Sequence, residues 1–100
     1  MITVTLIRKD GKVTGVRSSG HSGLAKSGND ILCAAVSALI QTAYLAVSDV
    51  SGKTDYPKRD GFFEFSVPTD HDAQVIVRAM QLGLQDLSGG YPQNLKLEEA

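Results

Sequence analysis

The chain of 100 residues holds one cysteine, two histidines and three prolines, and these scarcities each exclude something. A single cysteine forbids an internal disulfide. With two histidines and one cysteine no zinc-ligand spacing exists, so Asp70-His71-Asp72 reads as helix-capping side chains, and neither metal nor cofactor is expected. Charge of either sign is not in excess: ten Lys and Arg stand against eleven Asp and Glu, a formal charge of −1. The broad field that draws proteins onto nucleic acid or anionic membranes is therefore missing, and no direct nucleic-acid partner is expected. The opening MITVTLIRKD lacks the basic, then apolar, then small-residue order of a secretory signal, which makes the cytoplasm the expected location. The longest apolar run, Ile31 to Val47, falls short of the ~20 residues that span a bilayer and contains Ser37, Gln41 and Thr42, so it reads as a buried helix with no membrane role.

What is present fits one domain over residues 1–100, since a chain of this length supports a single core. Ile2, Val4 and Leu6 alternate with Thr3, Thr5 and Ile7, and Val13 to Arg17 alternates again after Lys9-Asp10-Gly11-Lys12. Period-two alternation about an Asp-Gly step predicts a β-hairpin with one buried face. A Ser/Gly loop from Ser18 to Gly28 follows, and Asn29 or Asp30 can cap a helix that runs to about Ser48. Because apolar residues cover most of its circumference, that helix is expected to pack on a sheet on one side and on another helix or subunit on the other. Tyr56-Pro57 reads as a poor edge strand, Phe62 to Val67 as a strand with Phe63, Phe65 and Val67 on one face, and Pro68 closes it.

A second helix is predicted from about Thr69-Asp70 to Leu87. Ile76, Met80, Gly83 and Leu87 share its inner face, with Val75, Ala79 and Leu84 beside it, and Ser88-Gly89-Gly90 stops it. Asn94 to Glu98 alternates as a last edge strand. The order β-β-α-(β)-β-α-(β) defines an α+β fold, an antiparallel sheet with a central buried helix and a second helix.

Chemistry concentrates where the loop enters the first helix. Cys33 lies in the first turn, where unpaired amides favour a thiolate, though a helix end is worth only ~0.3–1 kcal/mol and does not by itself make a strong nucleophile. The alternative is a small hydrophobe that happens to contain sulfur. His21, twelve residues earlier on the loop, can complete a thiolate–imidazolium pair, or be a surface histidine. Asp30 reads as a cap or as a residue that orients His21; Ser37, one turn beyond Cys33, reads as a buried hydroxyl bonded to a carbonyl, in a supporting role at most. Gly23 to Gly28 has the glycine spacing of a phosphate loop, but Asn29 and Asp30 stand where Lys and Ser or Thr are required, which excludes nucleotide binding. Lys53, Lys58 and Arg59 read as a solvated loop.

Gly20-His21, Gly28 and Asp30-Ile31-Leu32-Cys33-Ala34-Ala35-Val36-Ser37 resemble the G-H, G, D-I-V-C-A-A-V-S signature of the bacterial ribosomal-processing cysteine proteases, the Prp family. Gly83, Leu84, Leu87 and Tyr91-Pro92 extend the likeness along the chain, while Ser22 and Leu32 replace the usual alanine and valine. The resemblance implies a homodimeric enzyme that removes the N-terminal extension of a large-subunit ribosomal protein after a phenylalanine. It implies Cys33 as nucleophile and His21 as general base and acid, with Gly20, Ser22, Gly23 and Gly28 in a loop that gates the substrate. A non-catalytic ribosome-associated module and a thiol redox sensor are the competing readings.

Overall fold

The computed structural model describes residues 1–21, 30–52, 58–59 (backbone only) and 62–100, and its elements follow the expected order. Strands β1 (Ile2–Lys9) and β2 (Lys12–Gly20) pair antiparallel through a two-residue turn. There Asp10 and Gly11 take φ of 53° and 80°, the left-handed pair whose twist matches a hairpin. The second strand is longer than expected, because Ser18, Ser19 and Gly20 continue the ladder against Val4, Thr3 and Ile2. The register shifts once, with Ile7 opposite Gly15 and Arg8 opposite Val13, so Thr14 is an extra residue and both Val13 and Val16 face the core. Gln74 satisfies the backbone that this bulge displaces: the Val13 amide donates to its Oε1 at 3.0 Å, and its Nε2 donates to the Val13 carbonyl at 2.8 Å.

Helix α1 covers Ile31–Ser51, β3 is Lys58–Arg59, β4 is Phe62–Ser66, α2 is His71–Gly90 and β5 is Leu95–Glu99. The sheet order is β3, β4, β2, β1, β5. β5 lies parallel to β1, which makes the sheet mixed where a wholly antiparallel one was expected. The cause is topological: α2 carries the chain back across the sheet before β5 begins, and a strand reached by such a crossover runs with its neighbour. The Tyr56-Pro57 edge strand lies outside the described residues.

Two helices cover one face of the sheet. Ser51 Oγ, at the end of α1, donates to Asp70 Oδ2 at the start of α2 at 2.7 Å, and a side-chain carbon on Gly83 would meet Leu39 at 3.2 Å, so the helices run antiparallel and close. At 21 residues α1 is longer than expected and, by length and composition, apolar enough to cross a membrane. Its burial nevertheless follows one stripe, Leu32, Val36, Ile40, Ala43 and Val47, packed with the inner faces of the strands. Ile31, Leu45 and Val50 on its outer side are exposed. Tyr44 meets Phe63 and Phe65 edge to face, with ring centroids 6.2 and 5.6 Å away, which ties α1 to β4.

The inner stripe of α2 is Ala73, Val77, Met80, Gln81 and Leu84. The face read from the sequence holds at Met80 and Leu84, which are buried, and at Ile76 and Leu87, which pack against the core, but Val75 and Ala79 point outward. A glutamine is buried because two guanidiniums reach its oxygen, Arg78 Nη1 at 3.2 Å and Arg8 Nη2 at 3.4 Å. The helix also runs through Gly89-Gly90 and ends at Tyr91. Glycine permits a helix to stop without requiring it, whereas Pro92 disfavours helical backbone at the residue before it.

Two outcomes follow for stability. Phe65, 1% exposed among Tyr44 and Phe63, should cost about 3–5 kcal/mol on replacement by alanine, read by chemical denaturation. The bonds from Ser51 and the Ala73 amide hold the Asp70 carboxyl below its ordinary value of 3.8. A depressed carboxylate stabilises the fold above its unfolded pKa and ceases to do so as pH falls through the folded one. Asp70→Ala should therefore lower the melting temperature at pH 7, and the gap to the parent should close at pH values well below 3.8; an unchanged gap would contradict this account.

Candidate active site

The end of β2, the start of α1 and the end of α2 lie at one end of the molecule. Gly20 pairs with Ile2, and the Ile2 amide donates to the Asn94 carbonyl at 2.9 Å. The amides of Asn94 and Leu95 both donate to the Tyr91 carbonyl at 3.0 Å, and the Tyr91 amide donates to Leu87. Because the helices are antiparallel, the first turn of α1 stands beside this end of α2. His21 therefore leaves the sheet at the end of the molecule where Cys33 enters its helix. The connecting residues 22–29 lie outside the described residues, and with them Ser22, Gly23 and Gly28.

Asp30 fixes where the helix begins. Its backbone is extended, and its Oδ1 accepts from the amides of Leu32 and Cys33, each at 3.0 Å. It is 7% exposed, so the carboxylate is a buried acceptor that needs these donors. The cap puts Cys33 at the third helical position, half-buried, with one side against the core and the other at the surface. The two amides are occupied in this conformation, and an oxyanion hole built on them requires Asp30 to release them.

Ser37 is exposed, contrary to the expected buried hydroxyl. The core stripe of α1 runs through Val36 and Ile40, and position 37 turns away from it. His21 is exposed as well. The structure thus joins Asp30 to Cys33 by a hydrogen bond from the Cys33 amide, sets His21 at the same end, and leaves Ser37 one turn along the helix surface. Sequence reasoning missed the exposure of Ile31, which is 71% exposed and stands two positions before Cys33, about 200° away around the helix. Its place just after the cap was the available signal, because the first residue after a cap lies off the stripe that Leu32 and Val36 define. Among the described residues no cluster of His, Cys, Asp or Glu is arranged to hold a metal ion.

A partly buried cysteine at a capped helix start and an exposed imidazole at the same end of the molecule are groups that thiol-dependent hydrolases use. Residues 1–96 match the family model described as cysteine protease Prp, and the chain belongs to that family. It is 34% identical over 103 residues to the ribosomal processing cysteine protease Prp of Staphylococcus aureus, covering 97% of each chain. It is 29% identical over 107 residues to that of Bacillus subtilis, covering 97% of this chain and 96% of the relative. Two crystal structures of the essential S. aureus ribosomal processing protease cover the whole of both chains at 34% identity. The one with a covalently linked product peptide superposes with a TM-score of 0.91, and the one with a substrate peptide with 0.85. The chain is accordingly a cysteine protease of α+β fold.

The cap can be tested apart from the chemistry. Asp30→Ala should lower stability by about 1–2 kcal/mol in chemical denaturation, the cost of an uncapped helix start, while Asp30→Asn retains most of it. Equal losses in the two variants would mean that the carboxylate does more than cap.

Proposed function

We propose that this protein removes the N-terminal extension of a large-subunit ribosomal protein, cutting after a phenylalanine, with Cys33 as nucleophile and His21 as general base and acid. The observation that carries the reading is the place of Cys33, half-exposed at the Asp30 cap, in a chain similar end to end to a ribosomal processing protease that has been crystallised with substrate and product peptides. The enzyme works as a cytoplasmic homodimer, without a cofactor and without direct contact to nucleic acid.

In the reaction His21 takes the thiol proton, and the Cys33 thiolate attacks the carbonyl carbon of the phenylalanine itself. The resulting tetrahedral oxyanion collapses as imidazolium 21 protonates the leaving amine, which departs as the new N-terminus of the ribosomal protein. The thioester on Cys33 is then hydrolysed by water whose proton passes to His21, and thiol and imidazole are restored. Asp30 acts as a positioning residue through the Cys33 amide, and Ser37 lines the helix surface beyond the thiol.

The test is incubation of the protein with an N-terminal peptide of the cognate ribosomal protein, followed by mass spectrometry. The parent should release one product ending in phenylalanine, and Cys33→Ala and His21→Ala should each reduce the rate by about a thousandfold or more. Cleavage that persists in Cys33→Ala would sink the assignment. A thiol that is alkylated at the parent's neutral-pH rate in His21→Ala would instead favour a redox role.

A further inference from the structure

Gly20 precedes the histidine and was expected to move with the loop, yet the structure makes it the last residue of β2. It is paired with Ile2 and has φ of +91°, a region that L side chains rarely adopt. A Cβ placed on it would also run into the carbonyl oxygen of Met1. Met1 is not loose at this point, because the next amide, that of Ile2, is bonded to Asn94, and Asn94 is bonded to the turn that ends α2. Backbone handedness and backbone contact therefore both demand glycine, and both restrain it.

We propose that Gly20 is a positioning residue for proteolysis: its left-handed backbone, seated against the Met1 carbonyl, fixes the direction in which His21 leaves the sheet toward the end of the molecule that holds Cys33. This rests on the reading of His21 as the base. The origin of the imidazole is then fixed by the sheet. Gly20 is an anchor under this account, and not a hinge.

Chirality separates the two roles. An L-alanine at position 20 must leave the positive-φ region and strikes the Met1 carbonyl. A D-alanine favours positive φ and carries its methyl on the opposite side of a solvent-exposed residue. Both proteins are accessible by ligating residues 1–32 as a thioester to residues 33–100 at Cys33. Peptide cleavage and thermal melting should be measured for the ligated parent, the two alanine proteins and His21→Ala. The expected result is a kcat lowered by roughly 10–100-fold in the L-alanine protein with KM within about twofold, as for a misplaced catalytic group, and a kcat within about threefold of the parent in the D-alanine protein.

A D-alanine protein that is inactive or unfolded overturns the proposal, because a hinge needs the full range of φ and an anchor does not. Full activity in the L-alanine protein overturns it equally. Should the L-alanine protein fail to fold, the comparison of D-alanine with the parent decides alone. Retention of kcat in His21→Ala would show that the catalytic reading had failed, and not the placement of Gly20.

Discussion

The bond from the Cys33 amide to the Asp30 carboxylate is the constraint on which the site depends. A helix start is defined by which side chain satisfies its orphan amides, and here a buried acid takes two of them. Shifting the cap by one residue would rotate Cys33 by about 100° around α1, either into the core or fully out to solvent. The half-buried setting of the thiol is therefore set by a capping bond and by the stripe from Leu32 to Val47 that anchors the same helix in the core. The same bond limits the chemistry: amides held by a carboxylate serve an oxyanion only once that carboxylate lets go.

The remainder of the fold brings three chain ends to this place. Gln74 clamps the bulge at Thr14, which lets both Val13 and Val16 face inward and keeps the hairpin on the helices. The Ser51 bond to Asp70 and the close pass of Gly83 by Leu39 align α1 against α2. The turn from Tyr91 to Asn94 then ties α2 to Ile2, and through the ladder to Gly20 and His21. A protease of this size has few residues to spare for positioning, and here the hydrogen bonds of the core also locate the site.

The chain belongs to the cysteine protease Prp family and carries little charge bias, −1 overall. Its relatives are ribosomal processing cysteine proteases by name. Recognition of a peptide relies on local apolar surface and backbone contacts, not on a long-range field.

Much of this was legible in the linear pattern. Alternation around Asp10-Gly11 gave the hairpin, Asp30 and Asp70 gave the helix starts, and the phenylalanines gave the inner face of β4, because each is a local signal in which a side chain answers its own backbone. The likeness of residues 20–37 to the protease signature was legible too. The sequence did not reveal that β5 runs parallel to β1, that Gln81 is buried under Arg8 and Arg78, that Ser37 and the outer side of α1 face solvent, or that Met1 stands against Gly20. Those were decided by tertiary structure alone: each depends on which distant segment comes to lie alongside, and neither hydrophobic period nor capping residue encodes the partner of a face, only that the face exists.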